Sequence, residues 1–455
     1  MDLPARLRKI VGAAQVVTDP DVVAPYAQDW TRRWAGKPLA VVRPGSTDEV
    51  VAVVQACATA EVPLVPQGGN TGLVGGGVPQ DGEVVLSLRR LNQIGSIDLL
   101  SRTLVAGAGA TLAQVQRAAR SVGLDVGIDF AARDSATIGG IAATNAGGER
   151  VLRHGVTRSQ VLGLEVVLAD GSIVHRMSGL PKDNTGYDLV QLMIGSEGTL
   201  GVITGVQVKL VPPPGPAATA LVAVKTVDDG LTVLSAVRQR FAGLDAAEYF
   251  HDDGLQLVLR HRSIASPFDR HHPLYLLMEV TGAGPDVVEQ LAELLGELDL
   301  VRDAVLAGTA ADRRRLWELR EAHSEAISAA GVPVKLDVAL PLNRLGRFEQ
   351  ALPDVVRAVS RHAVTILFGH LAEGNVHVNL LAATQDDVQG AVTEAVLRLV
   401  AAHGGSISAE HGIGLAKRRW LPLTRDPADI AAMRALKRAL DPANTLSPGR
   451  LLAPL

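Results

Sequence analysis

The amino-acid sequence predicts an α+β fold in two domains, on three observations. Short apolar strands alternate with amphipathic helices along the chain. Four prolines in five residues, Pro212-Pro213-Pro214-Gly215-Pro216, interrupt that alternation near the middle, where neither a sheet nor a helix can continue. At 455 residues, 47% hydrophobic and 20% charged, the chain is longer than one hydrophobic core usually serves. One domain is therefore expected over residues 1–213, its core from about residue 38, and a second over residues 217–455.

Composition narrows the class. Mean hydropathy is +0.20, yet no stretch of 18 residues is free of charges and turn residues, so no membrane-spanning helix is expected. The N-terminus, MDLPARLRKIVGAAQ, lacks the apolar core and small-residue cleavage site of a secretory signal, and a cytoplasmic location is expected. Net charge is −4 with no long basic run, which argues against nucleic acid as a partner. The single cysteine, Cys57, allows neither an intramolecular disulfide nor a cysteine-rich zinc site, so any metal must be held by histidine and carboxylate.

In the first domain, Ser46 and Glu49 have capping-box spacing and open a helix to about Ala60. A strand over 62–66 runs straight into a glycine-rich loop. Further strands fit 84–88 and 103–107. Residues 162–169 and 172–175 flank Asp170-Gly171, a two-residue hairpin turn. Residues 202–210 alternate with the period of a half-buried strand. Beyond the prolines, strands fit around 219–225, 274–281, 333–339, 363–370 and 376–381.

The loop Pro66–Gly77 holds six glycines in twelve residues, which lets successive backbone N–H groups turn toward an anion. No Gly-Lys-Ser/Thr follows, so it is not a Walker loop. Ile138-Gly139-Gly140-Ile141-Ala142-Ala143-Thr144-Asn145-Ala146-Gly147-Gly148 is again small and glycine-rich, and Gly195-Ser196-Glu197-Gly198-Thr199-Leu200-Gly201 is a third such segment. Three of them suggest a backbone surface around an extended ligand carrying a pyrophosphate, against the plainer reading of flexible surface loops. Gly107-Ala108-Gly109 has only two glycines of a nicotinamide-dinucleotide fingerprint, with Leu112 at the third position, and reads as a strand-to-helix turn.

In the second domain, Phe368-Gly369-His370-Leu371-Ala372-Glu373-Gly374-Asn375-Val376-His377-Val378-Asn379 reads as strand, turn, strand. With Ala372–Asn375 as the turn, His370 opposes His377, and opposed residues share a face with Cβ atoms about 5 Å apart. Asn379, two residues on, points the same way. Ser408-Ala409-Glu410-His411-Gly412-Ile413-Gly414 adds a carboxylate and a third imidazole. Two histidines and one glutamate leave a position open for substrate, as in catalytic zinc sites; the other reading is two exposed hairpin histidines and an unrelated Glu-His. A helix around 311–330 would carry Arg320 and Ser324 on one face, four residues apart, with Lys335 opening the next strand. Converging Arg, hydroxyl and Lys suit a carboxylate; separately they are a helix ion pair and a surface lysine.

The order PQGGNTGLVGGG, TIGGIAATNAGG, GSEGTLGVIT resembles the FAD-binding domain of the vanillyl-alcohol oxidase / p-cresol methylhydroxylase superfamily. GHxxEGNxHxN and AEHGIG resemble its D-2-hydroxyglutarate, D-lactate and glycolate dehydrogenase branch. The resemblance runs from about Arg43 to the C-terminus. It implies a PCMH-type FAD domain, a substrate domain whose last segment returns to the flavin, and a noncovalent FAD. Pro66, Gly68, Gly69, Asn70, Thr71, Gly72, Leu73, Ile138, Gly139, Gly140, Thr144, Asn145, Gly147, Gly148, Glu197, Gly198 and Ile203 would contact the cofactor. His154 would be a neighbour of the ring or a structural histidine. His370, His377 and Glu410 would bind a divalent metal, expected to be zinc, with manganese or cobalt able to substitute. His411 would be the general base in a D-2-hydroxy acid oxidation that sends a hydride to flavin N5. Arg320, Ser324, Lys335 and Asn379 would bind substrate, and Lys335 tilts the expectation to a dicarboxylate. An electron-transferring flavoprotein or a quinone would take the electrons, and a homodimer is among the assemblies it allows. Two departures stand out: Ser324 replaces a threonine, and Ser447-Pro448-Gly449-Arg450 replaces the usual Asn-Pro-Gly-Lys. An oxidase of the same fold acting on another alcohol or sugar acid, and a cofactor-binding scaffold, are the rival expectations.

Overall fold

The computed structural model describes residues 2–282, 284, 286–383 and 386–453, so the expected domain limits at 1 and 455 lie outside the described residues. The chain divides into two compact units. The first holds Met1–Gly148, His154–Pro213 and Glu410–Leu455; the second holds Glu149–Arg153 and Pro214–Ala409. The division at 213/214 falls inside the proline run. The last segment, from Glu410, belongs to the first unit.

The first unit is built on two sheets. Strands Ala40–Val42, Val84–Ser87 and Leu64–Gln67 lie parallel, with Val16–Val17 antiparallel at one edge. The helix Thr47–Thr59 opens as its sequence predicts: Ser46 Oγ accepts the Glu49 N–H at 3.2 Å. The Glu49 carboxylate accepts from Gly45 N–H at 2.7 Å, one residue before the cap instead of at it. Cys57 is buried on this helix, and burial pushes its thiol up to about 12 against a small lowering by Arg6.

The second sheet runs in the order Ile94–Asp98, Thr103–Gly107, Val202–Val211, Val161–Val167, Ile173–Arg176. Asp170-Gly171 turns its last hairpin, with Gly171 at φ 88°. The strand Val202–Val211 corrects one expectation. Of its residues only Lys209 is exposed. Val206, Val208 and Leu210 enter a core with Leu104, Ile138 and Leu164. The alternate face, expected to meet water, is closed by the segment after the hairpin: a Cβ on Gly179 would lie 2.4 Å from Gln207 Nε2.

The C-terminal segment clasps this unit. Leu64 N–H donates to Thr445 O and Ser447 N–H to Leu64 O, extending the parallel sheet at its edge. Arg450 is fully buried and forks onto both oxygens of Glu83, at 2.8 and 2.7 Å, with a further bond to Pro448 O at 3.1 Å. The arginine that departs from the resemblance therefore makes a planar bidentate pair that a lysine cannot reproduce.

The second unit is one antiparallel sheet of seven strands: Asp303–Ala307, Ala217–Val224, Leu274–Thr281, Leu244–His251, Val364–His370, Asn375–Leu381, Val334–Ala339. Helices Asp252–Arg262, Ala310–Glu321 and His323–Ala330 supply Leu255, Leu316, Leu319 and Ile327 to a core shared with Phe250, Ile366 and Phe368 of the sheet. The single helix expected around 311–330 is two helices, broken at Ala322. In a continuous helix Arg320 O would accept from residue 324; here the His323 Nδ1–H donates to it at 3.1 Å. His323 is fully buried between Phe250 and Phe368, and burial, then the charge of Arg320, lowers its pKa to about 3. Among the described residues no helix is long and apolar enough to cross a membrane.

Removing the Arg450 side chain leaves Glu83 charged and buried. Arg450→Ala is expected to cost about 3–5 kcal/mol, read as a fall of at least roughly 6 °C in the melting midpoint. An unchanged midpoint would contradict this role.

Candidate active site

The first unit contains a groove of about 410 Å³, walled by the three glycine-rich segments. Pro66, Gly68, Gly69, Asn70, Thr71, Gly72, Leu73, Gly139, Gly140, Thr144, Gly147, Gly148, Glu197, Gly198 and Ile203 line it. Ile138 and Asn145 do not. Ile138 is fully buried in the core, and Asn145 sits in the left-handed region at the helix end, its Oδ1 accepting the Arg158 N–H at 2.9 Å. His154 and the pair Gly107/Gly109 are also outside the lining.

The glycines are there for close approach. A Cβ on Gly69 would lie 2.1 Å from Ser135 O, and one on Gly68 would lie 2.2 Å from Thr137 Oγ1. The loop after strand Leu64–Gln67 and the start of helix Ile138–Thr144 thus meet backbone to backbone. Thr137 Oγ1 is buried there without a hydrogen bond.

Glu197 does more than line the groove. Its carboxylate accepts the N–H groups of Ile413 at 2.8 Å and Gly414 at 2.7 Å. It tethers the Glu410–Gly414 loop, and Glu410 and His411 line the same groove. Burial raises the Glu197 pKa; the two amides and Lys417 offset this in part. Asp29 is a lining residue that sequence reasoning missed. It is buried, and its carboxylate accepts from Thr31 Oγ1 (2.6 Å), Arg33 N–H (3.1 Å) and Trp34 N–H (3.2 Å). The signal available was the turn chemistry of Asp followed by Thr two residues on.

The second unit carries the other candidates on one sheet face. The turn joining the two histidine strands is Leu371–Gly374, with Gly374 at φ 68°, one residue earlier than expected. His370 therefore pairs with Asn375, and His377 pairs with Phe368. The register differs by two residues, and an even shift keeps every side chain on its face. The two imidazoles are diagonal neighbours with ring centroids 5.5 Å apart.

Three consecutive rows of this face hold the polar groups. In the first, Glu248 of Leu244–His251 is in register with His370, and its Oε1 meets His370 Nδ1 at 2.7 Å. In the second, Asp337 of Val334–Ala339 is in register with His377, its Oδ1 3.8 Å from His377 Nδ1. In the third, Lys335 is in register with Asn379. Successive rows are about 7 Å apart. Arg320 lies above, its guanidinium 4.7 Å from the Phe368 ring centroid and 2.7 Å from Glu248 Oε2. Burial raises the Glu248 pKa, but His370 and Arg320 outweigh it and hold the carboxyl below its ordinary range. The expected convergence of Arg320, Ser324 and Lys335 is altered. Arg320 is committed to Glu248, Ser324 is exposed on the following helix, and Lys335 Nζ donates to Ser328 Oγ at 3.2 Å.

Comparison with known proteins now gives the family. Residues 214–451 match the family described as FAD linked oxidases, C-terminal domain. Residues 38–176 match the FAD binding domain family. The chain belongs to the FAD-linked oxidase family. It is 41% identical to D-2-hydroxyglutarate dehydrogenase of Xanthomonas citri pv. viticola, over 98% of this chain and 96% of that protein. It is 38% identical to the mitochondrial D-2-hydroxyglutarate dehydrogenase of Bos taurus, over 99% of this chain and 83% of that one. In fold it is similar to p-cresol methylhydroxylase, with a TM-score of 0.78 at 18% identity over 99% of this chain and 96% of that one. FAD is the cofactor of this FAD-linked oxidase, and the glycine-walled groove has the small-residue lining that a dinucleotide requires.

Gly69→Ala forces two backbones apart and is expected to cost about 1–3 kcal/mol. Expressed in binding, this raises flavin Kd roughly five- to 150-fold, measured by fluorescence on reconstituting the apoprotein. Wild-type affinity would show that the close approach is dispensable.

Proposed function

We propose that this FAD-linked oxidase is a dehydrogenase of D-2-hydroxy dicarboxylic acids, with D-2-hydroxyglutarate oxidised to its 2-oxo acid. The observation that carries the reading is the three-row face of the second unit. Two imidazoles suited to a metal stand one row (His377) and two rows (His370) from a row with a lysine and an asparagine. That spacing fits an acid with its reacting end at the imidazoles and a second carboxylate at Lys335. The names of the relatives support the same substrate.

His370, His377 and Glu410 form the proposed ligand set, and nitrogen and carboxylate donors without sulfur favour zinc among divalent ions. A bound ion supplies Lewis-acid polarisation of the substrate hydroxyl, and bound FAD supplies a two-electron acceptor. His411 takes the hydroxyl proton as general base, a role suited to imidazole near neutral pH. Asn379 directs its Nδ2 to Ile366 O (3.4 Å) and His377 O (3.2 Å). Its Oδ1 is therefore the atom to accept from the substrate hydroxyl, and a carboxylate is a poor partner for it. Lys335 receives the distal carboxylate, while Arg320, paired with Glu248 in the row of His370, contributes at the reacting end, and Ser324, exposed on the following helix, stands with neither. FAD is held noncovalently, in keeping with a described groove lining that has no cysteine and only His411 as histidine. The electrons pass to an electron-transferring flavoprotein or a quinone, and the protein works in the cytoplasm.

Anaerobic titration tests this by flavin bleaching. D-2-hydroxyglutarate is expected to bleach the flavin, its L-enantiomer not, and prior chelation to abolish the reaction. Equal bleaching by D-lactate would overturn the dicarboxylate reading; bleaching that survives complete metal removal would overturn the metal. Lys335→Ala is expected to raise KM for the diacid roughly ten- to hundredfold, the worth of a hydrogen bond to a charged group, and to leave any slow D-lactate turnover unchanged.

A further inference from the structure

The four strands Leu244–His251, Val364–His370, Asn375–Leu381 and Val334–Ala339 are neighbours in that order. The outer two each place one buried carboxylate against one imidazole of the inner two. Glu248 is 2% exposed and in register with His370; Asp337 is 1% exposed and in register with His377. Glu248 Oε1 is hydrogen-bonded to His370 Nδ1 at 2.7 Å, whereas Asp337 Oδ1 faces His377 Nδ1 at 3.8 Å, an electrostatic contact beyond hydrogen-bond reach. Neither entered the sequence reading as a functional residue. A carboxylate buried on a sheet face is costly unless paired, and two of them at matching ring positions on opposite sides of an imidazole pair is a paired arrangement.

We infer that Glu248 and Asp337 are positioning residues that hold His370 and His377 with Nδ1–H turned inward and Nε2 turned outward as the metal-binding atom. A carboxylate that accepts Nδ1–H fixes the tautomer, the ring plane and the basicity of Nε2. Arg320 extends the arrangement by one member. Its Nη2 sits 2.7 Å from Glu248 Oε2, so the two oxygens of one carboxylate serve a proposed metal ligand and a proposed substrate-side guanidinium. Through Glu248, a change in where Arg320 points reaches His370. Asp337 Oδ1 stands farther from its ring, 3.8 Å from His377 Nδ1 against 2.7 Å at His370.

This rests on reading the two histidines as metal ligands, and the test separates the two claims. Flavin-loaded protein is stripped with a chelator, selectively labelled with 15N-histidine, and its tautomers are read by long-range NMR correlations at about pH 8, above the histidine range. His370 and His377 signals are assigned by single substitutions. Zinc affinity is then measured by calorimetry for wild type, Glu248→Gln and Asp337→Asn. The expected result is Nδ1–H tautomers for both rings in wild type. In each variant the tautomer of its own ring shifts and zinc Kd rises ten- to hundredfold, the usual cost of losing such a partner, with flavin content unchanged. Nε2–H tautomers in wild type, or wild-type zinc affinity in both variants, would overturn the inference. Nδ1–H tautomers in a wild type that binds no zinc would leave the positioning standing and sink the metal reading. Loss of all zinc binding in Asp337→Asn with the His377 tautomer unchanged would make Asp337 a ligand and overturn its assignment. If either variant fails to fold, the wild-type tautomers alone decide.

Discussion

The antiparallel register of four neighbouring strands governs the chemistry of the second unit. It puts Glu248 beside His370, Asp337 beside His377 and Lys335 beside Asn379, in three rows of one face. Backbone hydrogen bonds hold that register, and Gly374, in a conformation that favours glycine, closes the turn that fixes it. A slip of one residue would send both histidines to the opposite face. Proximity of the polar groups is thus a property of the sheet, and the side chains need only reach their neighbours.

Backbone proximity also makes the groove of the first unit, by a different route. There the chain repeatedly comes within the space a Cβ would need, as at Gly68 and Gly69. Glu197 then uses its carboxylate to fix the Glu410–Gly414 loop through two N–H groups. Small residues give the groove its shape, and one buried acid presents Glu410 and His411 to it.

Much of this was legible in sequence because it depends on local period and on residue type. The hairpin at Asp170-Gly171, the capped helix after Ser46 and five of the seven strands of the second unit follow from pattern alone, while Leu244–His251, which carries Glu248, and Asp303–Ala307 were not foreseen. His370 and His377 share a face despite the one-residue difference in the turn, because that difference moves the register by two, an even number. What could not be read came from contacts distant in sequence. Strand Val202–Val211 is buried on its second face by a segment that alternation cannot foresee. The helix around 311–330 breaks because His323 is drawn into an aromatic core and takes the Arg320 carbonyl. Glu248 lies 122 residues from His370 in sequence, and nothing near either one announces the pair. Ile138 and Asn145 sit within a glycine-rich segment that walls the groove but face its core and its cap, since a helix turns only part of itself to a groove.

The central claim is that His370 and His377 form a metal-binding pair oriented from behind by carboxylates. Its most direct test is anomalous diffraction at the zinc edge, from crystals grown with zinc and D-2-hydroxyglutarate. The account expects one strong peak about 2.0–2.1 Å from Nε2 of both histidines, with substrate oxygen completing the coordination. A peak bound through Nδ1, a peak elsewhere, or none at this pair would contradict it.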